Sequence, residues 1–147
     1  MSRITRYVSL ICLAAIGAVL ALFVQDQSFS LPFAQAALTF GFIGVLTQVF
    51  SYRTISGSTA SVSFIPFLAS AAIAPHWVTV VVVAAACLAG QLAAKRDLIR
   101  TVFNTAQESF ALALAILAYE ALGGIPLHSI GESSSLSLFA LFLVFFV

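Results

Sequence analysis

"RTVFNTAQESFALALAILAYEALGG", residues 100–124, decides the fold. From Phe110 to Leu122 it is apolar enough for lipid, apart from Glu120 near its end. Just before that run stand Asn104, Gln107 and Glu108, which are expensive to take out of water. Their spacing resolves the conflict. Positions i, i+3 and i+4 share one face of a helix. Arg100 lies on the same stripe, one turn earlier, and Ala111 and Ala115 continue it with small side chains. Val102, Phe103 and Phe110 cover the far side and one flank. Such a helix stands in a membrane only if its polar stripe faces protein or a water-filled cavity. The segment therefore predicts neighbours, and with them a helical bundle.

The rest of the chain supplies those neighbours. A soluble domain is about 25% charged. This chain of 147 residues is 7% charged and 62% hydrophobic, with a mean hydropathy of +1.14. It cannot hide that much apolar surface in water, so the composition predicts an integral membrane protein. A net charge of +1 offers no basic face to neutralise phosphates and argues against nucleic acid as a partner. Cys12 and Cys87 both fall inside apolar runs and read as buried, unreactive thiols.

A membrane-crossing helix needs about 20 apolar residues at about 1.5 Å each. Tyr7–Val24 is the first span. Arg3 and Arg6 before it also fit a signal peptide, but the run is long and Ser28-Phe29-Ser30 is a poor cleavage site, so it reads as a retained helix. Phe33–Phe50 is the second span, with Pro32 in its first turn. Residues 54–63, TISGSTASVS, are small and polar, and Phe64–Ala74 alone is too short to cross. Either Ile55–Ala74 crosses with an irregular first half, or Phe64–Ala74 is re-entrant. Trp77–Ala94 and Arg100–Leu122 follow, the latter stopped by Gly123-Gly124. A last apolar run begins at Leu136.

The basic residues choose between these layouts, because cytoplasmic loops are enriched in Lys and Arg. With the N-terminus inside and Ile55–Ala74 crossing, Arg3, Arg6, Arg53, Lys95, Arg96 and Arg100 all fall on the cytoplasmic side. Asp26, His76, His128 and Glu132 fall on the other side. A re-entrant Phe64–Ala74 would put Lys95, Arg96 and Arg100 outside. The crossing layout is preferred. Leu136–Val147 is too short to cross, at about 18 Å of helix against a core of about 30 Å. The expectation is therefore a chain that continues into the cytoplasm, with residues 1–147 as one membrane module.

Depth makes Glu108 the most informative residue. With a helix entering near Leu98, it lies about 15 Å along the axis. An unpaired carboxylate there is costly and needs a proton or a partner. Gln48, Gln91 and backbone in the 57–63 stretch are the nearest candidates. Asn104, Gln107 and Glu108 form the candidate ligand-binding set, with Gln91, Ser61 and Ser63 beside them. The competing reading is interhelical adhesion, in which Asn and Gln contribute roughly 0.6 kcal/mol each. That explains Asn104 and Gln107 but does not require an ionisable Glu108. Small residues before Pro66 further suggest a broken helix, whose free backbone groups bind ligands. The opposing reading there is a loop followed by Pro in a first turn.

Trp77, Tyr119, Tyr7 and Tyr52 fit interfacial anchors. His76 and His128 read as loop residues and Glu120 as solvated. No catalytic constellation, phosphate loop or metal-ligand spacing is present in the sequence, so no enzyme, metal or cofactor is expected.

Several stretches carry a resemblance. "VSFIPFLA" (62–69), "KRDLIR" (95–100), "FNTAQ" (103–107) and "YEALGG" (119–124) resemble the N-terminal multi-helix membrane region of bacterial signalling proteins. In those proteins a cytoplasmic HD-type phosphodiesterase or diguanylate cyclase follows. The match runs over about residues 55–147 and includes no output domain, so no enzymatic activity carries over. The layout is also similar to the six-helix substrate-binding subunits of energy-coupling-factor vitamin transporters.

The resulting expectation is an all-α, multi-pass bundle of the bacterial inner membrane, with five spans, the start of a sixth and a cytoplasmic N-terminus. Its function would be sensory input: it binds a small ligand or senses the bilayer and relays a helix shift to a cytoplasmic output domain. The alternatives are a vitamin-capturing transporter subunit working with a coupling subunit, and a structural membrane protein with no ligand.

Overall fold

The computed structural model describes residues 3–29, 31–50, 52–53, 59–60, 63–124 and 135–146. Within these lie six helices: α1 Arg3–Gln25, α2 Leu31–Val49, α3 Phe64–Ile73, α4 Trp77–Ala93, α5 Leu98–Ala121 and α6 Ser135–Phe146. Between α2 and α3, two short strands, β1 Tyr52–Arg53 and β2 Thr59–Ala60, pair antiparallel. Within the first half of the anticipated third span, the described Thr59–Ala60 is a short strand rather than irregular helix. The helical half of that span, α3, has 10 residues, about 15 Å, too short to cross alone. Pro66 sits in the first turn of α3, where a missing N–H breaks no helical bond.

Helices α1, α2 and α5 are long and apolar enough to span a membrane. The distribution of side-chain size fits that environment. Large apolar residues point outward, as with Leu13, 69% exposed, and Ile16, Leu38 and Phe42. The buried face of α2 is instead Ala34, Ala37, Gly41, Gly44 and Gln48. Small residues let helices approach closely, which is how helices associate when lipid removes the hydrophobic drive between them. The Phe67 ring of α3 lies directly on Gly44. In water, an apolar surface of this extent would not stay exposed on a monomer.

Helix α2 packs against α3 and α4, while α5 packs against α1, α4 and α6. Contacts at the two ends of the bundle fix the direction of each helix. At one end the Tyr7 ring of α1 lies 5.9 Å from that of Phe103, near the start of α5. The end of α2, the start of α3 and the end of α4 meet there too, around Gln48, Ser63 and Gln91. At the other end Phe23 of α1 meets Trp77 of α4 edge-on at 5.3 Å, and the His76 ring lies 6.0 Å from Phe33 of α2. Successive helices therefore reverse direction. Arg3, Arg6, Arg53, Lys95, Arg96 and Arg100 all occupy the first of these ends.

Local chemistry places the helix boundaries. Asp97 caps α5, its Oδ2 accepting from the N–H groups of Ile99 (3.2 Å) and Arg100 (3.4 Å). Helix α4 ends in a Schellman turn, with Arg96 N–H donating to Gln91 O at 3.2 Å and Lys95 at φ 52°. Gly123, at φ 74°, stops α5 as its sequence predicts. His76 is not the free loop residue its sequence context suggests. It is 3% exposed and caps α4, with Nδ1 accepting from Val78 N–H at 3.2 Å. Its Nε2 lies 3.6 Å from Asp26 Oδ2. The Ser28 side chain and its N–H, 2.8 Å away, hold the Asp26 carboxyl below the usual carboxylate range, with a smaller contribution from His76.

Candidate functional site

Helix α5 presents Asn104, Gln107 and Glu108 on one face, and Glu108 stands between two cavities. The first, of about 110 Å³, is lined by Gln48, Ser63, Gly90, Gln91, Ala94, Arg96 and Glu108. The second, of about 190 Å³, is lined by Phe64, Asn104, Gln107, Glu108, Ala111 and Phe145. Five of the six residues proposed from sequence therefore line these two spaces. Ser61 lies outside the described residues. The stripe is not uniformly interior: Gln107 is exposed, whereas Asn104 and Glu108 are half-buried.

The first cavity exists because α2 and α4 cross at Gly90. The Gln48 carboxamide rests where a Cβ at position 90 would stand. Only glycine admits it, and the packing then seals the amide from solvent. Gln48 is 6% exposed and Gln91 8% exposed. Among the described residues, Nε2 and Oε1 of Gln48, Gln91 Oε1 and Glu108 Oε2 have no hydrogen-bond partner. Leaving such groups unpaired costs about 1–3 kcal/mol each. These four atoms belong to three side chains that line one polar space.

Cys87 of α4 adds a third element. Its buried Sγ is within hydrogen-bonding reach of both the Glu108 carboxyl and the Gln48 amide. Sulfur is a weak acceptor and does not satisfy the Gln48 amide. Thr105 Oγ1 donates to the same sulfur at 3.6 Å. Sequence reasoning treated Cys87 as inert packing, and no motif ties it to Gln48 or Glu108. Only the crossing of α2, α4 and α5 brings them together. Arg96, in the turn after α4, is a charged lining residue absent from the sequence-derived set.

A larger groove, of about 430 Å³, runs between α1, α4 and α5 past Cys12, Ile16, Leu88 and Val102. Its hydroxyls are engaged: Ser109 donates to Thr105 O at 2.7 Å, and Thr105 donates to Cys87. It offers an apolar wall with no free polar group to orient a ligand, unlike the spaces around Glu108. Among the described residues no cluster of His, Cys, Asp and Glu is arranged to hold a metal ion. The chain matches no family model, no curated protein and no solved structure.

Proposed function

We propose that the chain is a membrane-embedded input module that takes a small polar ligand at the cavities around Glu108. In this reading the basic end faces the cytoplasm and the chain makes five crossings plus a partial sixth, in a bacterial inner membrane. The observation that carries the ligand is the set of buried, unpaired atoms of Gln48, Gln91 and Glu108. Pure interhelical adhesion would be expected to pair such atoms, since pairing is the source of its stabilisation. The second cavity supports a relay. It lies between α5 and α6, with Phe145 of α6 forming one wall. An occupant contacting Glu108 therefore acts beside α6, which leads toward the cytoplasmic end. A ligand shifts α6 only by binding one α5–α6 arrangement more tightly than the other. The resemblance to signalling proteins over about residues 55–147 is what would go with such a relay to an output domain.

A vitamin-capturing transporter subunit is the second reading, favoured by the six helices among the described residues. Size argues against it. The polar cavities of about 110 and 190 Å³ are smaller than the roughly 300–1,000 Å³ of sites that enclose drug-sized ligands, and the groove of about 430 Å³ that is large enough has an apolar lining.

The test is cross-linking between α5 and α6 in native membranes. Ala111→Cys and Phe145→Cys, placed in a Cys12→Ala chain, are joined by a short bismaleimide. The relay reading expects Glu108→Gln and Asn104→Ala to change the cross-linking yield while the melting temperature stays put. An unchanged yield, with only stability affected, would establish the adhesion reading instead.

A further inference from the structure

We propose that the space between Gln48, Gln91 and Glu108 binds a small monovalent cation, an alkali ion or a primary ammonium group. This rests on the ligand-site reading above and specifies its chemistry. Of the four unpaired buried atoms there, three are acceptors: Gln48 Oε1, Gln91 Oε1 and Glu108 Oε2. An anion could approach Arg96 but would also meet the carboxylate and two carbonyl oxygens. An apolar ligand would leave all four groups unmet. A cation satisfies the three oxygens together, and carboxylate and carbonyl oxygens are the donors that hard cations take. Gln48 Nε2, the one donor, is left for water or for the second carboxylate oxygen.

Charge and size narrow the class. Among the described residues the cavity is lined by one carboxylate, Glu108, and one guanidinium, Arg96, so a single positive charge is the most the space can take and a second exceeds it. A divalent ion would carry its surplus charge into a low-dielectric interior beside Arg96, at a penalty of several kcal/mol. The volume of about 110 Å³ equals roughly three to four water molecules at about 30 Å³ each. It accommodates a partly hydrated alkali ion, ammonium or methylammonium. It excludes a polyol amine such as N-methylglucamine. Arg96 lies at the edge of the same space and opposes the cation, which makes the arginine a diagnostic position.

The experiment uses the purified full chain in detergent, with N-methylglucamine chloride as the background salt. NaCl, KCl, NH4Cl or methylammonium chloride replaces it at constant ionic strength, and thermal unfolding is followed. The proposal expects a saturable rise in Tm with at least one of these. Na or K alone identifies an alkali-ion site; ammonium and methylammonium together identify an amine site. Glu108→Gln is expected to weaken the apparent affinity at least tenfold, Arg96→Gln to tighten it severalfold, and Glu120→Gln to leave it unchanged. No saturable shift, or one that persists in Glu108→Gln, would overturn the cation. A Glu108-dependent α5–α6 cross-linking yield without any cation effect would retain the ligand site and reject this chemistry; loss of both would reject both.

Discussion

The carboxamide of Gln48 on α2 lies across Gly90 on α4, in the position that any side chain at residue 90 would occupy. This contact sets how closely α2 and α4 approach, and it turns a polar side chain into the bundle two helices away from the stripe on α5. Gly90→Ala is expected to cost about 1–3 kcal/mol, the range for forcing extra volume into a packed interior. Adding Gln48→Ala to Gly90→Ala is expected to recover much of that loss, because the clash needs both side chains. A double-mutant cycle on unfolding free energy checks this; additive effects would mean that the two residues do not touch.

The turn after α4 carries a different signature. Lys95 adopts φ 52°, a left-handed conformation that costs an L-residue roughly 1–2 kcal/mol and glycine almost nothing. Lys95→Gly is expected to stabilise the protein by about 0.5–1 kcal/mol. Lys95→Val, β-branched at the same backbone angle, is expected to destabilise it by more than that. Unfolding in a mild detergent gives both signs in one experiment.

At the opposite end, the depressed Asp26 carboxyl gives a pH dependence of known sign. Its folded pKa lies below the ordinary value of 3.8, so the unfolded chain takes up the proton first. The stability it contributes is present above about pH 4 and is lost as pH falls through the folded value. The effect is small, because Asp26 is largely solvated. Asp26→Asn is expected to remove this acid-side slope from the melting curve measured between pH 3 and pH 6. A wild-type slope equal to that of the variant would contradict the assignment.

His76 caps α4 through a lone pair on Nδ1. His76→Ala is expected to cost about 0.5–2 kcal/mol through the lost cap alone, and His76→Asn to cost less because its side-chain oxygen takes the same N–H. The comparison of the two melting temperatures separates capping from packing against Phe33 and Trp77.

How much of this the sequence carried depends on whether the signal was local. Helices α1, α2, α4 and α5 were legible from apolar runs, and the C-terminal end of α5 was placed by Gly123, because hydropathy and φ preferences act over a few residues; its start lies at Leu98, capped by Asp97, rather than at Arg100. The polar stripe was legible for the same reason: Asn104, Gln107 and Glu108 share a face by spacing alone. The hairpin of Tyr52–Arg53 and Thr59–Ala60 was not, since TISGSTASVS lacks the two-residue apolar alternation that marks strands. His76 looked like a loop residue because its neighbours Phe33 and Asp26 lie 43 and 50 residues away along the chain. Cys87 and Gln48 gained their relation to Glu108 only from the helix crossing at Gly90. The membrane orientation inferred from the six basic residues is consistent with their shared end of the bundle.

The claim on which the account turns is that Glu108 and Gln91 face a polar interior space while Leu20 and Leu114 face lipid. Nitroxide labels at each of these four positions, in liposomes, report it through relaxation by oxygen, which concentrates in acyl chains, and by a water-soluble nickel chelate. The account predicts low oxygen accessibility at 91 and 108 and high accessibility at 20 and 114, with nickel detecting 91 in preference to 20. Oxygen accessibility at 108 equal to that at 20 would contradict it.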